Sequence, residues 1–200
     1  MAANRIKVWD PAVRLFHWAL VVLFAVAYLS GEESEALHAY AGYGVLGLIG
    51  FRLVWGFLGT KHARFSDFLY GPTATLRYAR ALMAGKPIHY LGHNPIGGWM
   101  IVLLLLSLFG ACWSGLKLYA IEEGKGPLAR VPAIIAPAKA DEAGGADEAG
   151  EEFWEEVHEV LSNLTLALVF IHIAGVVVAS RLHRENLARA MVTGYKEKQD

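Results

Sequence analysis

Apolar residues fall into four long runs with polar segments between them, at roughly 12–30, 37–58, 96–116 and 158–181. Each run is close to the ~20 residues that carry a helix across a hydrocarbon core about 30 Å thick. Backbone in lipid must satisfy its own hydrogen bonds, so the runs are read as helices. Four such runs in 200 residues would leave a soluble bundle almost no polar surface. The pattern therefore predicts an all-α, integral membrane four-helix bundle, one domain over residues 1–200. Asp10-Pro11 reads as an N-cap followed by proline at the first helical position. The first run is long for a signal peptide, holds Arg14 and His17, and is followed by "GEESEAL" without an A-x-A site, so it reads as a retained helix.

Composition strengthens this picture. The chain is 55% hydrophobic and only 18% charged, against about 25% in an ordinary soluble domain. Mean hydropathy is +0.36. A disordered chain is excluded, and one cysteine, Cys112, excludes a disulfide scaffold. The net charge of −1 says little, but its distribution is informative. Thirteen Lys and Arg lie in the N-terminal flank, segment 59–94 and the tail, against four in 31–36 and 117–157. Positive charge gathers on the cytoplasmic side, so both termini are expected there. Segment 117–157 is rich in Ala and Gly and has ten acids against four bases. It reads as an acidic, flexible outer linker, or as a landing surface for a basic partner. Segment 66–85 predicts a short helix after Pro72. It is either an ordinary loop helix or one with Leu76, Tyr78, Ala79 and Leu82 toward the membrane and Arg77 and Arg80 at the head groups.

Four of the eight histidines lie in or at the runs: His17, His38, His158 and His172. An ionisable group inside a membrane is costly and is by default a functional candidate, although any single one can be a hydrogen-bonded packing residue. His158 and His172 are fourteen residues apart, so they share one helix face about 21 Å apart along the axis. They cannot share one metal ion. Alternating helix direction puts His17 with His172 at the inner level and His38 with His158 at the outer. Two neutral imidazoles on opposite sides of a flat macrocycle satisfy a six-coordinate haem iron, a centre suited to electron transfer. Arg52 is fourteen residues beyond His38 and lies on the same face near the inner level. There it pairs with haem propionates or snorkels to the interface. Gly42, Gly44, Gly47 and Gly50 leave room for a macrocycle or for close helix packing. His62, His89, His93 and His183 read as structural or surface histidines of the connecting segments. No zinc hydrolase, c-type haem, Walker or Rossmann signature is present, and nothing points to a nucleic-acid partner.

The stretches "VWDPAVRLFHW", "GHNPIGGWM", "HEVLSNLTLALVFIHIAGV" and "LHRENLARAMVTG" resemble the bacterial cytochrome b561 family, which includes the b-type cytochrome subunits of nickel–iron hydrogenases. The resemblance implies two haems b (iron protoporphyrin IX) held by bis-histidine ligation. Carried over, His17 and His172 hold the inner haem, and His38 and His158 the outer. It also implies a multi-pass protein of the bacterial inner membrane that exchanges electrons with quinone.

The first functional expectation is transmembrane electron transfer between the quinone pool and a periplasmic redox partner such as a c-type cytochrome. Whether quinone turnover makes the chain an enzyme in its own right stays open. One alternative is a superoxide:quinone oxidoreductase, against which the acidic outer segments argue. Another is a membrane anchor and electron relay for a hydrogenase-like catalytic subunit. A metal transporter is disfavoured by the fourteen-residue spacing. The oligomeric state is open, a homodimer included.

Overall fold

The computed structural model describes residues 5–86, 88–129 and 145–197, with side chains of the last stretch from 149 onward. Along these the chain forms strand β1 (Arg5–Lys7), helix α1 (Pro11–Ser30), α2 (Glu35–Leu58), a 3-10 turn at Lys61–Ala63, then α3 (Phe65–Phe68) and α4 (Pro72–Met83). There follow α5 (Pro95–Glu122), α6 (Gly145–Leu182), α7 (Leu187–Thr193) and strand β2 (Tyr195–Glu197). Helices α1, α2, α5 and α6 are long and apolar enough to cross a membrane.

Local chemistry fixes where these helices start. The Asp10 carboxylate accepts from Val13 N at 2.9 Å with Pro11 behind it. Asn94 does the same for Gly97 N at 2.8 Å, followed by Pro95. Each such cap stabilises by about 1 kcal/mol. Helices α5 and α6 both reach into the acidic segment assigned to a linker, as far as Glu122 and from Gly145. Positions 130–144 of that segment lie outside the described residues.

The apolar core belongs to three helices. Phe16 of α1, Val45 and Ile49 of α2, and Leu105 and Leu108 of α5 are buried together. Helix α6 contributes no residue to this cluster. It packs along α5, while α1 packs along α2, and α2 against α5 joins the two pairs. Helix α6 makes no comparable backbone contact with α1 or α2. A slot therefore runs between α6 and the α1–α2 pair, bridged by a hydrogen bond from Tyr28 Oη to Asn163 Oδ1.

The two chain ends meet. Strands β1 and β2 pair antiparallel, with Arg5 opposite Glu197 and Lys7 opposite Tyr195. Val8 N and Trp9 N both donate to Gly194 O, at 2.9 and 3.1 Å. Gly194 closes α7 with φ +87°, and a Cβ there would sit 2.8 Å from Trp9 O, so glycine is required twice over. Val8, Trp9 and Ala190 form a second small core under this ribbon.

Segment 66–85 does form a helix after Pro72, but the membrane-facing reading of Tyr78 is corrected. Tyr78 is 2% exposed, with its ring 5.6 Å from that of Tyr90, because α4 lies against α5 and buries that face inward. Leu76, by contrast, stays exposed.

Candidate haem sites

At the end of the bundle away from the chain termini, His38 opens α2 and His158 lies on α6. Their ring centroids are 5.7 Å apart and the planes cross at 83°. His38 Nδ1 is 2.9 Å from Ala27 O of α1. His158 Nδ1 is 2.9 Å from Ala111 O of α5, with the Ser114 hydroxyl at 3.2 Å. A carbonyl oxygen can only accept, so in both rings Nδ1 carries the proton. The lone pair is left on Nε2, as a metal-binding imidazole requires. The rings come from opposite walls of the slot. Gly115 makes this possible, since a Cβ there would approach His158 Cε1 to 2.9 Å.

At the terminal end, His17 of α1 and His172 of α6 are close enough to interact electrostatically. His38 and His158 are thus brought together across the slot, and His172 lies about 21 Å further along α6. Arg52 is 3% exposed. Its guanidinium lies 4.8 Å above the Phe65 ring and 5.6 Å from that of Phe68. Both rings belong to α3, just beyond the end of α2. Asp10 is the acid that faces Arg52, and that carboxylate already accepts from Thr60 Oγ1 at 2.6 Å and Trp55 Nε1 at 3.3 Å.

Among the described residues, four buried polar side-chain atoms have no hydrogen-bond partner: Arg14 Nε, His17 Nδ1, Arg52 Nη1 and His93 Nδ1. All four belong to this end of the bundle. Buried polar atoms are nearly always paired, so four together mark a place where polar partners belong. His93 is the residue that sequence reasoning missed. Its ring sits 4.5 Å from Trp9 and 4.9 Å from Phe68. Burial, followed by the positive charge of Arg52, pushes it down to about 3, so the ring is neutral. His93 directly precedes the Asn94 cap at the start of α5.

The other connecting-segment histidines are engaged structurally. His62 Nδ1 meets Asp67 at 2.9 Å, and His89 Nε2 meets Glu185 at 2.8 Å. The ring of His183 lies 5.3 Å from that of His89. Of the glycines, Gly44 closes on Leu23 of α1, where a Cβ would stand 2.7 Å from Cδ1. Gly42 shares the His38 face, and a Cβ there would meet nothing within 4 Å.

These residues fit haem. The paired imidazoles would hold such a group from opposite walls, and the unpaired nitrogens at one level would suit its carboxylates. Among the described residues no three metal-ligating side chains converge. The family pattern of prokaryotic cytochrome b561 matches residues 8–194. No curated protein and no solved structure matches the chain.

Proposed function

Since the chain belongs to the prokaryotic cytochrome b561 family, whose members carry electrons in membranes on haem b, we propose that it passes them through two such haems between the quinone pool and a periplasmic redox protein such as a c-type cytochrome. His38 and His158 would hold the outer haem, and His17 and His172 the inner. The observation that carries this reading is the pair of Nδ1–carbonyl hydrogen bonds, which leaves both outer Nε2 atoms free to ligate.

Bound haem supplies a reversible one-electron change at iron. The chain supplies everything else. Ala27 and Ala111 carbonyls set the tautomer and the ring orientation of the outer ligands. Arg52 and His93 would offer their unpaired nitrogens to propionate oxygens, with Arg52 placed over the Phe65 and Phe68 rings. Exposed apolar residues on α6, such as Val160, Phe170 and Val177, suit a surround of lipid.

The distribution of Lys and Arg supports cytoplasmic termini and an inner-membrane location. Glu151, Glu152, Glu155 and Glu156 are exposed on the first turns of α6, at the level of His158. Such a field attracts a basic partner to the outer haem and repels an anion such as superoxide.

The test is the haem count in wild type, His158→Ala and His172→Ala, with a reduced-minus-oxidised spectrum of each. Two haems are expected in wild type and one in each variant. Unchanged content in both variants would refute the ligand assignment.

A further inference from the structure

We propose that the cleft formed by the β1–β2 ribbon, α7 and the turn after α6 binds a phosphate group, carried either by a membrane lipid headgroup or by a soluble phosphate compound.

The cleft holds about 290 Å³, and its lining includes Arg5, Arg184, Arg189 and Lys196 against Glu185 and Glu197. The acids do not neutralise the arginines. Glu185 points inward, where Lys196 Nζ lies 3.2 Å and His89 Nε2 2.8 Å from its oxygens. Glu197 stands opposite Arg5 in the ribbon but makes no ion pair with it. Arg5, Arg184 and Arg189 are all exposed, and among the described residues none has an acid within ion-pair distance. Three unpaired guanidinium groups around one cleft repel one another until an anion lies between them. The planar fork of arginine matches the oxygens of phosphate.

Arg184 adds an independent sign. It has φ +53°, where glycine is the usual occupant. The turn is fixed there by Glu185 N donating to Ser180 O at 3.0 Å and Arg184 N to Arg181 O at 3.4 Å. Glycine would serve that turn without a side-chain clash. Arginine places a charge in the cleft wall instead, at a backbone position of the kind that gathers at functional sites. The cleft directly follows Leu182, where the membrane-spanning part of α6 ends, which is headgroup depth.

The experiment uses the haem-loaded protein in nanodiscs of phosphatidylcholine with or without phosphatidylglycerol, reading retained lipid by native mass spectrometry. A second arm titrates inorganic phosphate in detergent and reads thermal unfolding. Arg184→Gln/Arg189→Gln is compared with wild type and with Arg77→Gln/Arg80→Gln, a matched charge loss on α4. About tenfold weaker retention of phosphatidylglycerol is expected in the Arg184/Arg189 variant alone. Protection by free phosphate, lost in that variant with lipid retention unchanged, would assign the cleft to a soluble phosphate compound. Equal behaviour of wild type and the Arg184/Arg189 variant in both arms, or an equal loss in the α4 variant, would overturn the proposal. The haem spectrum should stay unchanged throughout, so failure here is separable from failure of the electron-transfer reading.

Discussion

Tyr28 of α1 donates a 2.9 Å hydrogen bond to the side-chain oxygen of Asn163 on α6, five residues beyond His158. It crosses the slot between the two histidine levels and ties α6 to a helix it otherwise hardly touches. Interhelical hydrogen bonds in membranes contribute about 0.6–1.7 kcal/mol. Tyr28→Phe and Asn163→Ala should each lower thermal stability in detergent by about 1 kcal/mol, and the double variant should lose no more than one of them. Additive losses would show that the two residues act separately.

Gly115→Ala tests the outer pair without removing a ligand. The new Cβ would meet His158 Cε1 at 2.9 Å, so the ring must swing off Ala111 O. We expect about half the haem to be lost, with the inner centre retained in the difference spectrum. Gly71→Ala, in the segment before α4, where a Cβ meets nothing within 4 Å, should leave the count unchanged.

Ser114 is 1% exposed and donates to the Gly110 and Ala111 carbonyls, each at 3.0 Å, while its oxygen faces His158 Nδ1. Ser114→Ala removes one acceptor from the proton of that ring. Ligation should survive, since Ala111 O remains, but the midpoint potential of the outer haem should shift while that of the inner stays put. A redox titration followed at the haem bands measures both. Movement of the two potentials together would contradict the local role.

Asp10 gives the pH dependence. Burial works against its charge, but hydrogen bonds from Thr60, Val13, Trp55 and Ala12 outweigh it and hold the carboxyl below its ordinary 3.8. A lowered carboxyl contributes stability that is complete above that ordinary value and is lost as pH falls through the native one. Wild type should therefore lose stability below about pH 4, and Asp10→Asn should be less stable by about 1 kcal/mol at neutral pH with a flatter acid limb. Thermal unfolding from pH 3 to 7 checks both.

The four spans were legible because hydropathy over some twenty residues is a collective signal, and Asp10-Pro11 marks a start that the structure realises; the Asn94-Pro95 start emerged only in the structure. The approach of His38 to His158 was legible because alternating helix direction places both at one end of the bundle. The ribbon of the chain ends was not, since three-residue strands have no pattern and Arg5 pairs with Glu197 from the far end of the chain. Nor was the inward turn of Tyr78, because an amphipathic helix does not state whether its apolar face meets lipid or α5. His93 was missed because it lies outside any run, and only the approach of Trp9 and Phe68 buries it.

The three-helix core that leaves α6 aside has a bearing on biogenesis. Phe16, Val45, Ile49, Leu105 and Leu108 can settle before the last span has left the ribosome. The last span is then added along α5 to helices whose mutual packing is already complete.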